Sequence, residues 1–161
     1  MWRWRMRRRA RRPASHLEAI GFALHVRLAT TLGQLALEGG FLGSATWHHA
    51  LAVPNVPGRR RLNHLMSEAP SVAEAARLYD QAEQAGMPIR LGLGQHPLPD
   101  GTASFHAAAP SGFDIEIGAG AAAFVAPQEP AAISVTSLWG HRPSLWAKLR
   151  IVLALGGLRR R

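Results

Sequence analysis

The chain has 161 residues, no cysteine and a formal net charge of +9, so it is sized for one domain with a core, and disulfide frameworks and thiolate metal sites are excluded. The charge is local: seven arginines lie in residues 1–12 and three in 159–161, and the remainder carries nine Lys+Arg against ten Asp+Glu. No uncharged apolar run reaches the ~18 residues of a membrane-spanning helix, so no transmembrane segment is expected.

The opening MWRWRMRRRARRP has no apolar periodicity, and residues 1–15 are expected to form a disordered basic arm. In AIGFALHVRLATTLGQLAL, His25 and Arg27 interrupt the apolar run, which is therefore no secretory signal. That stretch is apolar enough to be ordered, and both helix and strand remain open for it. LEGGFLGS reads as a turn entering a strand, ATWHHALAV, that ends at Pro54.

After the loop PNVPGRRR, RLNHLMSE is a strand candidate with Leu62, His64 and Met66 on one face. SVAEAARLYDQAEQAG opens with the capping-box spacing Ser71-x-x-Glu74. Its apolar positions Val72, Ala75, Ala76, Tyr79 and Ala82 follow helical spacing, and Gly86 suits the closing position. MPIRLGL is a strand, GQHPLPDG a loop, TASFHAAA a strand, PSG a tight turn and FDIEIG the closing strand. Alternation puts Phe113, Ile115 and Ile117 on one face of that last strand and Asp114 and Glu116 on the other. An Ala- and Pro-rich segment and SVTSLWGHRP follow, and SLWAKLRIVLALGGLRRR is expected to form a short basic amphipathic helix. The fold class expected is α+β, with one complete βαβββ unit over 61–118.

If that unit curls into a half-barrel, His64 on its first strand and Glu116 on its last can face one cavity, with His106 on the neighbouring strand. Imidazole and carboxylate together form a donor set suited to Fe(II), Mn(II) or Zn(II). Read from the residues alone, a lone histidine on a strand is more often a hydrogen-bonded structural residue than a metal ligand, and His48-His49 is compatible with an ordinary edge pair.

Five segments in one order, HHALA (48–52), RRLNHLMSEA (60–69), AARLYDQAEQAGMPI (75–89), LGQH (93–96) and SFHAAAPSGFDIEIG (104–118), resemble type I extradiol ring-cleavage dioxygenases. These belong to the vicinal oxygen chelate superfamily, and the biphenyl-2,3-diol 1,2-dioxygenases look most similar. The resemblance extends over about residues 40–145, SLWGHRP included. It implies a vicinal-oxygen-chelate module with a partial one before it: a partial dioxygenase domain over 16–145, flanked by the basic arm and a basic tail at 146–161. It implies Fe(II) as cofactor, with an aromatic vicinal diol and dioxygen as substrates. His64 matches a metal-ligand histidine and Glu116 the metal-ligand carboxylate. His49 matches a histidine near dioxygen and substrate, and His96 one suited to proton transfer.

Three departures accompany the resemblance. His106 stands where the substrate-binding tyrosine is expected, so imidazole replaces or loses a phenolic contact. After His96 the chain reads PLPDG, with Asp100 displaced and the family's asparagine missing. The first histidine ligand is expected at or before Met1, which leaves His16 and His25. The chain thus reads as the C-terminal portion of a longer dioxygenase behind unrelated Arg-rich sequence, such as a shifted reading frame produces, and weak or absent activity alone is expected. A homo-oligomer or a partner chain could complete the barrel, and a cytoplasmic location is expected. Two other functions compete: a non-enzymatic remnant that binds a small ligand or metal, and a binder of nucleic acid or membrane surfaces through its basic ends. No basic-aromatic interleaving in the body supports specific nucleic-acid recognition.

Overall fold

The computed structural model describes residues 16–32, 35–44, 47–54, 62–123, 129–145 and 148. The basic arm expected over 1–15, and the basic tail expected over 146–161 apart from Lys148, lie outside the described residues. The elements run β1 (Ala23–Leu32), β2 (Leu35–Ser44), β3 (Trp47–Pro54), β4 (His64–Glu68), α1 (Val72–Gln84), β5 (Ile89–Gln95), β6 (Ala103–Ala108), β7 (Asp114–Ala119) and β8 (Ala131–Ile133). They fall into two compact units, one holding β1–β3 and β8, the other β4 to β7 with residues 135–145 and 148.

The first unit is a four-stranded sheet in the order β3-β2-β1-β8. β1 pairs antiparallel with β2 from Ala23↔Gly43 to Leu32↔Leu35, and parallel with β8 through Val26↔Ala131. LEGGFLGS therefore belongs to a strand, and the turn expected there is corrected. Gly39 and Gly40 serve close packing: a Cβ at Gly39 would lie 3.3 Å from Pro54 Cα, and one at Gly40 would lie 2.8 Å from Leu24 Cδ1. His25, buried on β1, meets His48 of β3 edge to face, with ring centroids 4.0 Å apart. His49 points its ring at Phe41, 4.3 Å away.

The second unit has the expected order of strand, helix and three strands, its sheet arranged β4-β7-β6-β5. β4 and β7, its first and last strands, run side by side in parallel. Ser71 is extended (φ −158°, ψ 162°), and its Oγ accepts the Glu74 N–H at 3.1 Å, satisfying one of the free donors of the first turn. Only half of the capping box forms, because the Glu74 carboxylate pairs with Arg77 instead. Gly86 takes the left-handed conformation (φ 68°) that closes the helix, and Met87 N–H returns to Ala82 O at 2.9 Å.

One face of this sheet buries the helix. Ala69, Ala75 and Ala119 form one cluster; Ala82, Phe105 and Ala107 form a second, with Leu78 and Ile117 packed against both. Small alanines let α1 lie close to the strands, and Phe105, only 1% exposed, fills the remaining depth. Burying a side chain of that size stabilises by roughly 1.5–3 kcal/mol. The apolar helix face differs by one residue from the sequence expectation: Val72 is exposed, and Leu78 takes its share of the core.

The outer edge of this sheet, β5, is covered by residues 136–143. Leu138 N–H donates to Gln95 O (2.7 Å), Gln95 N–H to Trp139 O (3.0 Å), and Trp139 Nε1–H to Gln95 Oε1 (2.8 Å). The approach is close enough that a Cβ at Gly94 would lie 2.2 Å from His141 N. Gly140, at φ 67°, sits against Leu93 and Gly94 in the same way. A covered edge cannot recruit a foreign strand.

Candidate metal centre

Strand alternation sends Ile115 and Ile117 toward the helix and Glu116 through the opposite face of the sheet. β6 lies antiparallel to β7 with His106 directly opposite Glu116. β4 lies on the other side with Met66 opposite Glu116, and His64, two positions earlier, on the same face. His96 follows the end of β5, and its backbone N–H is held by Thr102 O at 2.8 Å. Three imidazoles thus converge on one buried carboxylate. His64 Nε2 lies 3.1 Å from Glu116 Oε2, and His96 Nε2 and His106 Nε2 each lie 3.5 Å from Oε1.

The hydrogen-bond roles at the far side of these rings fix what the near side can do. Thr136 O, 2.8 Å from His96 Nδ1, can only accept, so Nδ1 carries the hydrogen. His64 Nδ1 bonds to Asn63 Oδ1 at 2.8 Å in the same sense. In a neutral ring of that tautomer, Nε2 presents a lone pair to Glu116. Two acceptors face to face repel, so the arrangement calls for an extra proton or a cation between them. Metal-binding histidines are oriented by this same kind of N–H bond at the other ring nitrogen.

Burial alone would raise the Glu116 pKa, but hydrogen bonds from His106, His64 and His96 outweigh it, and the group is held far below the usual carboxylate range. Burial would lower the pKa of His96; hydrogen bonds to Glu116 and to Thr136 O reverse this and raise it above the ordinary value. His141 is pushed down to about 4, chiefly by burial and then by repulsion from His96, whose ring is 4.5 Å away. Its Nε2 lies 3.2 Å from Ser104 O.

The donor set fits a divalent ion. Metal–ligand bonds of ~2.1 Å put neighbouring donors ~3.0–3.5 Å apart, which is the spacing from Glu116 to the imidazole nitrogens. Among the described residues, His64, His106 and Glu116 each offer one ligand atom, all within 4.8 Å of one another.

Of the residues singled out from sequence, the structure brings together His64, His96, His106 and Glu116. His49 sits in the first unit, on β3. Asp114 lies 3.6 Å from Arg90 Nε, and Asp100 accepts from Thr102 Oγ1 at 2.8 Å. Sequence reasoning missed Asn63 and Thr136, which orient His64 and His96, and gave His141 no role. Only the position of His141 in WGHRP, within the resembling segment, pointed to it.

Residues 17–117 match the family described as the Glyoxalase/Bleomycin resistance protein/Dioxygenase superfamily. The chain is 33% identical over 132 residues to a 3-methylcatechol 2,3-dioxygenase of Pseudomonas putida, a match covering 80% of this chain and 44% of that protein. It is 30% identical over 135 residues to a biphenyl-2,3-diol 1,2-dioxygenase of a Pseudomonas species, covering 83% and 45%. Among solved structures, a 2,2',3-trihydroxybiphenyl 1,2-dioxygenase from Sphingomonas wittichii aligns with a TM-score of 0.73 at 26% identity, covering 84% of this chain and 47% of that one. The chain thus spans less than half the length of the relatives it matches. No helix among the described residues is long and apolar enough to cross a membrane.

Proposed function

The chain belongs to the Glyoxalase/Bleomycin resistance protein/Dioxygenase superfamily, and from that premise we propose that it is the metal-binding portion of an Fe(II)-dependent extradiol dioxygenase of aromatic vicinal diols. The observation that carries this reading is the buried Glu116 carboxylate ringed by imidazole nitrogens at 3.1–3.5 Å, in a chain whose relatives are dioxygenases of catechols and biphenyl diols. His64 and Glu116 would hold the ion. When bound, Fe(II) acidifies a coordinated diol and brings it beside dioxygen.

The chain's own residues supply the rest. Glu116 stays ionised and contributes the negative charge that offsets the cation. His96, anchored through Nδ1, holds or moves a proton at Nε2. A role for His49 rests on the family resemblance alone. We assign residues 16–145 to the dioxygenase domain, with 1–15 and 146–161 as basic extensions.

The coverage of 44% of the relative's length favours a second reading: a metal-binding module that does not turn over on its own. Anaerobic loading with Fe(II), followed by 2,3-dihydroxybiphenyl and air, separates the two. The dioxygenase reading expects a coloured ring-cleavage product that is lost in His64→Ala. No product from folded, iron-loaded protein refutes turnover by this chain and leaves the second reading.

A further inference from the structure

We infer that His106 is the third metal ligand, so that His64, His106 and Glu116 form a complete two-histidine, one-carboxylate centre inside the single βαβββ unit. This rests on the metal-binding reading above and adds which residue closes the site. The family pattern expects a tyrosine on the substrate side at this position, and its first histidine ligand on an earlier strand.

Three observations carry the inference. His106 and Glu116 are direct cross-strand partners on β6 and β7, a placement that brings side chains into contact without any loop rearrangement. The His64 and His106 rings meet edge to face with centroids 4.7 Å apart, and the Nε2 atoms of both reach the same carboxylate at 3.1 and 3.5 Å. One atom from each of the three residues falls within the 4.8 Å set, which His96 does not join despite its own contact with Glu116.

The alternatives fit less well. His96, although oriented through Nδ1 by Thr136, falls outside the set of ligand atoms that lie within 4.8 Å of one another. His25 is packed against His48 in the first unit. Two imidazoles and one carboxylate leave coordination positions open and suit Fe(II), Mn(II) or Zn(II). His106 thereby moves from the substrate side to the metal side, and His96 remains as the imidazole beside the site.

Equilibrium dialysis of the full chain against Fe(II) under argon, with Co(II) as a visible-absorption probe, tests this. One ion per chain is expected. Loss of a residue that merely orients a ligand costs about 10–100-fold in affinity, so His64→Gln, His106→Gln and His106→Phe should each weaken binding ~100-fold or more. The phenylalanine variant keeps a ring against His64 and separates lost ligation from lost packing; circular dichroism checks each fold. His96→Gln should cost no more than about tenfold, and His25→Gln should have no effect. The wild-type chain gives an independent reading: with Co(II) bound, the ring nitrogens of His64 and His106 should carry contact-shifted NMR signals. If His106→Phe binds like wild type while His64→Gln does not, or if the His106 ring shows no contact shift, the inference fails and the metal reading stands. If the folded wild-type chain binds no ion, both fail together.

Discussion

Gly94→Ala tests whether the segment over β5 is part of the second unit's architecture. An alanine Cβ there would lie 2.2 Å from His141 N and 2.6 Å from Trp139 O, both backbone atoms. Unstrained contacts begin near ~3.5 Å, so residues 139–141 must retreat by about 1 Å. The bonds Leu138 N–Gln95 O, Gln95 N–Trp139 O and Trp139 Nε1–Gln95 Oε1, now 2.7–3.0 Å, would then pass the ~3.5 Å limit of useful hydrogen bonds. Three such bonds at about 1 kcal/mol each amount to about 3 kcal/mol of lost stability. The assay is urea unfolding of the metal-free chain, with Gly92→Ala as control. A Cβ at Gly92 meets only ordinary contacts, 3.7 Å from Arg142 O and 3.8 Å from the Tyr79 hydroxyl, and should change stability by less than about 1 kcal/mol. The His96 ring should also lose its bond to Thr136 O, visible as a shifted Nδ1–H resonance. If Gly94→Ala unfolds within about 0.5 kcal/mol of wild type, a margin ordinary surface changes reach, the segment does not pack as described.

Two further outcomes are expected. Glu116→Gln preserves shape but removes the charge, so metal affinity should fall at least ~100-fold and the His96 pKa should drop in NMR titrations; retention of affinity within about tenfold would exclude the carboxylate as a ligand. The pKa of His141 is depressed to about 4 from the ordinary value of about 6.5, so the unfolded chain takes up its proton first. The stability this group contributes is full above about pH 6.5 and is lost as pH falls toward 4. Urea midpoints of wild type should therefore decline more steeply over that window than those of His141→Gln, and parallel curves would contradict the burial argument.

The parts of the fold legible in sequence are those set by local rules. Ser71 and Gly86 mark the ends of α1 within one residue of their observed roles, and alternation in FDIEIG correctly separates the ileucines from Glu116. What escaped was set by distant partners. Gly39 and Gly40 look like a turn because glycine usually marks one; their reason lies at Pro54 and Leu24, visible only when the strands are paired. β8 is three residues long and pairs across about a hundred positions of sequence, beyond any periodicity argument. The same division holds at the site. The quoted motifs pointed to His49, His64, His96, His106 and Glu116, of which the structure gathers the last four, but the oxygen that orients His96 belongs to Thr136, forty residues later.

The adjacency of β4 and β7 bears on how the protein is made. His64 and Glu116 are 52 positions apart in sequence yet sit on neighbouring strands, and every element of the unit lies between them. Closing so long a loop is entropically costly and comes late, after the helix and the β5-β6-β7 meander have supplied a surface for β4 to join. A nascent chain on the ribosome therefore offers no preassembled donor set until β7 has emerged. Ion capture would then follow completion of the unit, and metal supplied after synthesis should be taken up as readily as metal present throughout.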